Sequence, residues 1–119
     1  MIQINYGHSK PIYEQVKDGL RQLMLSGVLT PNAKLPSVRE LAVTLTINPN
    51  TIQRAYRELE AEGYIVSVPG KGSFVATDSS AQEARKAELR EKFIAASKEL
   101  RAIGISEQEL MEMLMEEEQ

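Results

Sequence analysis

The chain has 119 residues, 42% apolar and 26% charged, which suits one small soluble domain with an appendage. It has no run of about 18 apolar residues and no charged-then-apolar leader, so a membrane span and a secretory signal are not expected and the cytoplasm is. Zero cysteines exclude disulfides, thiolate nucleophiles and cysteine-ligated metals, and the single histidine, His8, excludes any site needing two imidazoles, so neither catalytic nor metal site nor cofactor is expected.

The net charge of −3 hides an asymmetry. Residues 1–76 carry eight Lys/Arg against six acids, a balance of +2, whereas residues 77–119 carry six against eleven, a balance of −5. A weakly basic front and an acidic rear are compatible with one face meeting a polyanion, although +2 alone would not suggest it.

Met1 to Gly7 alternates apolar and polar residues (Ile2, Ile4, Tyr6), the pattern of an extended arm able to add to a sheet. Ser9 is a candidate N-cap ahead of Pro11 for a first helix burying Ile12, Val16, Leu20 and Leu23 and ending at Gly27. Thr30-Pro31-Asn32 reads as a turn. Ser37-Val38-Arg39-Glu40 is a capping box opening a second helix of about ten residues that buries Val38, Leu41, Ala42 and Leu45. Asn48-Pro49 breaks the pattern, and Pro49 or Asn50 begins a third helix burying Ile52, Ala55, Tyr56 and Leu59 before Gly63 ends it.

Tyr64–Val68 and Ser73–Ala76 are β-prone runs around the turn Pro69-Gly70-Lys71-Gly72, hence a hairpin. Thr77–Ser80 is a polar linker whose last residue opens a second S-x-x-E box, Ser80 to Glu83. The fourth helix aligns Leu89, Phe93, Ala96, Leu100 and Ile103 at spacings of four and three, the seam of a helix that packs along another. After Gly104 a third box, Ser106 to Glu109, opens a last helix with Leu110, Met111, Met113, Leu114 and Met115, running out from Glu116 to Gln119.

A packing helix, two short helices joined by a tight break and a hairpin make a winged helix-turn-helix: mainly α with a small β hairpin. The expected division is 1–76 for the winged domain, 77–80 for the linker and 81–119 for a two-helix tail. In this design the second helix of the pair lies in the major groove, about 12 Å wide, and the hairpin reaches the adjacent backbone or minor groove. Helical phase leaves Asn50, Thr51, Gln53, Arg54 and Arg57 outside, all hydrogen-bonding types.

Gly27 through Ala42, then Asn48-Pro49-Asn50-Thr51-Ile52-Gln53-Arg54-Ala55-Tyr56, Leu59-Glu60-Ala61-Glu62-Gly63 and Gly70-Lys71-Gly72-Ser73-Phe74-Val75, resemble the DNA-binding domain of the GntR family of bacterial regulators over roughly residues 10–76. The short tail, too small for an effector domain, resembles the YtrA subfamily. One departure is Asn32, where the family usually has glycine; asparagine can take the same left-handed turn. The resemblance implies that Arg39 contacts phosphate or a base edge and that Asn48, Asn50 and Thr51 fix the start of the recognition helix on the backbone. It implies base readout by Gln53 and Arg54, glutamine pairing with adenine and arginine with guanine, and a wing tip of Gly70 and Lys71 against phosphate. Pro49 stands where some relatives carry a base-reading arginine, so their sequence preference does not transfer.

Each assignment has a plainer rival. Arg54 could pair with Glu58 and Arg57 with Glu60 on a solvated face; Ser37 is first a helix cap and only second a phosphate contact; His8 reads as a surface residue; the methionines read as core or interface. Two lone helices cannot cover Leu89, Phe93, Ala96, Leu100, Ile103, Leu110 and Leu114, so a homodimer is expected, presenting two recognition helices about 34 Å apart to an inverted-repeat double-stranded DNA operator. A small-molecule effector would bind at the dimer interface or between tail and winged domain. The function expected is a transcriptional regulator, a repressor. The competing classes are a winged-helix protein-interaction module without DNA, and an enzyme, for which the chain has neither the length, a Schiff-base lysine setting nor a phosphate cradle.

Overall fold

The computed structural model describes residues 2–117; Met1 at the start of the expected arm, and Glu118 and Gln119 in the expected acidic run-out, lie outside them. The order is α1 (Ile12–Leu25), α2 (Val38–Leu45), α3 (Pro49–Ala61), β1 (Ile65–Val68), β2 (Gly72–Val75), α4 (Ser80–Ala102) and α5 (Glu107–Glu117). The chain divides into two units between Gln82 and Glu83. α4 therefore begins within the stretch read as a linker, and its first turn belongs with the winged unit, where Ala81 packs on the core.

In the first unit Val16, Leu20 and Met24 form the buried stripe of α1. Met24 takes the place expected of Leu23, which is only half-buried, because the stripe advances in four-residue steps toward the side that meets α3. Ser9 is not the cap. Pro11 is, without a side-chain bond, and its carbonyl accepts the N–H groups of Glu14 and Gln15, each at 3.1 Å. The N-terminal arm joins no strand among the described residues; Ile2 and Ile4 pack on the core instead. Gly19 makes this possible, since a Cβ there would lie 3.0 Å from Ile2 Cγ2.

The capping box of α2 is complete: Ser37 Oγ accepts from Glu40 N at 3.1 Å, and Ser37 N donates to Glu40 Oε1 at 3.2 Å. Leu41 and Ala42 are buried, Val38 and Leu45 half-buried. The helix has eight residues rather than ten because Thr46, at φ 55°, turns left-handed and stops it before Asn48-Pro49 is reached. Asn48 Oδ1 then caps α3 by accepting from Asn50 N at 2.8 Å, with Pro49 in the first turn, where it needs no N–H partner. Ile52, Ala55, Tyr56 and Leu59 are buried.

The strands pair antiparallel from Ile65↔Val75 to Val68↔Gly72; β1 starts one residue later than expected, and β2 is shifted by one, taking in Gly72 from the expected turn and leaving out Ala76. Lys71 N donates to Val68 O at 2.9 Å, closing a turn with Pro69 second and Gly70, at φ 77°, third, as a type II turn requires. The segment after the Pro31 turn supplies an unexpected third edge. Lys34 bridges Phe74, Leu35 N donates to Ser73 O and Val75 N to Ala33 O, both at 2.9 Å. Asn32 has the left-handed geometry that the sequence allowed, at φ 67°.

In the second unit, α4 buries no residue and Gly104, at φ 102°, ends it. Its expected Ser80 box is replaced by Asp78, whose Oδ1 accepts from Ser80 N at 2.8 Å and from Ser80 Oγ at 2.5 Å. These bonds, the hydroxyl first, hold the Asp78 carboxyl below its usual pKa. Ser106 caps α5, accepting from Glu109 N at 3.1 Å. Of the expected seam, Leu89, Phe93, Ala96, Ile103 and Leu114 are exposed, and Leu100 and Leu110 half-buried. Among the described residues no helix is long and apolar enough to cross a membrane.

Candidate nucleic-acid interface

The outward face of α3 follows from its phase. With Ile52, Ala55, Tyr56 and Leu59 fixed inside, Asn50, Gln53, Arg54 and Arg57 are exposed, while Thr51 sits at the rim, half-buried. The caps that build the helix ends leave their groups with donors to spare: Asn48 accepts through Oδ1, so its amide N–H groups point elsewhere, and Ser37 accepts from Glu40, so its own hydroxyl proton is uncommitted. The hydrogen bonds from Ser37 backbone and side chain hold the Glu40 carboxyl below its usual range, and Lys34 adds to the effect.

The wing lies beside the start of α2. Ser37 and Glu40 share one concave surface with Lys34, Ser67, Gly70 and Lys71. Ser67 Oγ donates to Glu60 Oε2 at 2.8 Å, tying β1 to α3 and occupying the carboxylate expected as the rival partner of Arg57. Gly72 passes so close that a Cβ would meet Lys34 Cε at 3.2 Å. Lys34 is a cation of this surface that the sequence reading did not single out; only the pairing of its segment with β2 brings it to the wing.

Ion pairing separates two sets of cations in residues 1–76. Lys10 pairs with Asp18 at 2.6 Å, Arg21 with Asp18 at 2.9 Å, and Lys17 with Glu58 at 3.1 Å and with Glu62. The Lys17 ammonium, 15% exposed, is pulled down by desolvation but raised above its usual pKa overall by Glu62 and Glu58. Lys34, Arg39, Arg57 and Lys71 have no ion-pair partner among the described residues, and all are exposed: Arg39 on α2, Arg57 on α3, Lys71 on the wing and Lys34 on the segment paired with it. Lys17 and Arg21 of α1 are thus held in ion pairs, whereas Lys34, Arg39, Arg57 and Lys71 are left without one, Lys34 lying near enough to Glu40 to help lower its pKa.

Arg54 is the exception on that face. Its Nε donates to Glu58 Oε2 at 3.3 Å, the pairing anticipated as its rival role, and its guanidinium carbon lies 3.7 Å from the ring centre of Tyr13 on α1. The i to i+4 partner was readable from spacing; the ring 41 positions away was not. His8 is exposed and its Nδ1 accepts from Lys10 N at 2.9 Å, a local turn contact. Among the described residues no cluster of His, Asp or Glu is arranged to hold a metal.

A family model for bacterial regulatory proteins of the gntR family matches residues 12–75. The HTH-type transcriptional repressor YtrA of Bacillus subtilis (strain 168) is 47% identical over 79 residues, covering 66% of this chain and 61% of the repressor, less than two thirds of its length. A GntR family transcriptional regulator from Listeria monocytogenes superposes with a TM-score of 0.78 at 32% identity, covering 93% of this chain and 98% of that one. The AraR DNA-binding domain, solved in complex with operator ORE1, superposes with a TM-score of 0.56 at 30% identity over 64% of this chain and 93% of its own.

Proposed function

Because the chain belongs to the GntR family and is a helix-turn-helix transcriptional regulator, we propose that it represses transcription by occupying an inverted-repeat operator as a homodimer. α3 enters the major groove, Gln53 and Arg54 read base edges, and Arg57 with Asn50 lines the same face. Asn48, Thr51, Ser37 and Arg39 anchor phosphates around the helix starts, and Gly70 and Lys71 set the wing tip on the neighbouring backbone. One observation carries this reading: the four cations without ion-pair partners lie exposed on α3 (Arg57), α2 (Arg39), the wing (Lys71) and the segment beside it (Lys34), while the cations of α1 are neutralised. A repressor and an operator-bound domain among the similar proteins support DNA binding.

The homodimer rests on the second unit, where Leu89, Phe93, Ile103 and Leu114 leave an apolar surface that a second copy would cover. Protection of DNA upstream of its own gene tests the proposal. Two protected half-sites about one helical turn apart, roughly 34 Å, are expected. Uniform protection of any duplex, or none, contradicts it.

A further inference from the structure

Arg54 is held in a way that the other exposed arginines of this face are not. Its guanidinium stacks on Tyr13 at 3.7 Å and its Nε is tethered to Glu58 Oε2. The tether is itself anchored, because Glu58 Oε1 accepts from Lys17 Nζ at 3.1 Å, a hydrogen bond that holds the Glu58 carboxyl below its usual pKa with Arg54 adding to it. Lys17 lies on α1 one turn beyond Tyr13, so one helix supplies both the stacking ring and the anchor of the carboxylate. A guanidinium carries five N–H donors in a rigid fork. Here only the Nε donor is engaged among the described residues, and the terminal Nη pair remains available on a side chain that is 55% exposed. Stacking removes torsional freedom from a long side chain that would otherwise lose it on binding, and the terminal pair is the one that meets O6 and N7 of a guanine.

We propose that Tyr13 and Glu58 are positioning residues for sequence discrimination: α1 pre-sets Arg54 so that its Nη fork reads a base edge. The inference rests on α3 entering the major groove. It assigns a role in specificity to α1, a helix that otherwise serves as packing. Tyr13→Phe keeps the ring and should keep the preference; Tyr13→Ala removes the stack, and Glu58→Gln removes the anionic tether.

The experiment selects duplexes from a randomised DNA library with the full chain and with Tyr13→Phe, Tyr13→Ala, Glu58→Gln and Arg54→Ala, alongside thermal unfolding of each. Expected is an enriched inverted repeat for the parent chain and Tyr13→Phe. Arg54→Ala should flatten the preference at specific base pairs, and Tyr13→Ala and Glu58→Gln should weaken it at those same pairs, each by several-fold in base ratio. A parent chain that enriches no sequence overturns the groove-reading function and this inference with it. A parent chain that enriches a repeat leaves that function standing, and the inference then falls under any of three results: Arg54→Ala lowers affinity uniformly with preference intact, the mark of a phosphate anchor; Tyr13→Ala and Glu58→Gln select as the parent does; or their preference drops only in step with lost thermal stability.

Discussion

Tyr56 joins α3 to the loop that opens α2. Its ring is buried, and its hydroxyl donates to Pro36 O at 2.6 Å, so one side chain fixes the separation between the cap of α2 and the centre of α3. Burial, with the Glu40 charge adding to it, pushes the phenol up to about 12 from its ordinary 10.0. A phenol whose folded pKa is raised favours the fold fully below about pH 10, and that contribution disappears as pH climbs toward 12, because the unfolded chain releases its proton first. Tyr56→Phe should therefore cost about 1 kcal/mol near neutrality, leaving the Pro36 carbonyl without its donor. The gap between the two proteins in denaturant unfolding should close between pH 10 and 12. A gap that widens with pH would contradict this account of the hydroxyl.

Among the elements, the break between α2 and α3 decides how the two helices meet, and it is where sequence and structure part. The Ser37 box and the phase of α3 were legible because each depends on residues three or four apart, and local spacing is written directly in a sequence. Thr46 was not legible. A β-branched residue at φ 55° is unfavourable on its own terms, and the bonds from Thr46 N to Val43 O and Ile47 N to Ala42 O, with the packing of Ile47 and Leu45 against the core, hold it there. The same holds for the 33–35 edge beside β2 and for Tyr13 under Arg54, each formed by partners about 40 residues apart. The Ser80 box did not form because Asp78, two residues ahead, accepts both the N–H and the hydroxyl of Ser80. Thr46→Asn, which tolerates the left-handed region better, should raise stability by about 0.5–1 kcal/mol without altering DNA affinity. A lower melting temperature would show that Thr46 is not strained.

At the scale of the molecule, an inverted-repeat operator calls for two copies of the chain. Phe93 is 54% exposed on α4, so Phe93→Asp removes little from the fold of a single chain while placing a charge on the surface proposed to meet its twin. Sedimentation should show a dimer for the parent and a monomer for the variant, with unchanged melting of the winged unit and weaker operator binding; a variant that remains dimeric would move the interface elsewhere. The acidic balance of residues 77–119 suits that division of labour, since such a tail would repel a polyanion proposed to meet the winged face. What the whole depends on is the exposed charge of Lys34, Arg39, Arg57 and Lys71, none of them held in an ion pair among the described residues. The direct measurement is the affinity for the protected duplex as a function of salt. The logarithm of the binding constant should fall steeply and linearly with that of salt concentration, and Lys71→Ala should lessen the slope by about one while preserving sequence preference. Binding indifferent to salt, or a slope unchanged by Lys71→Ala, would mean that this face does not grip DNA through these cations.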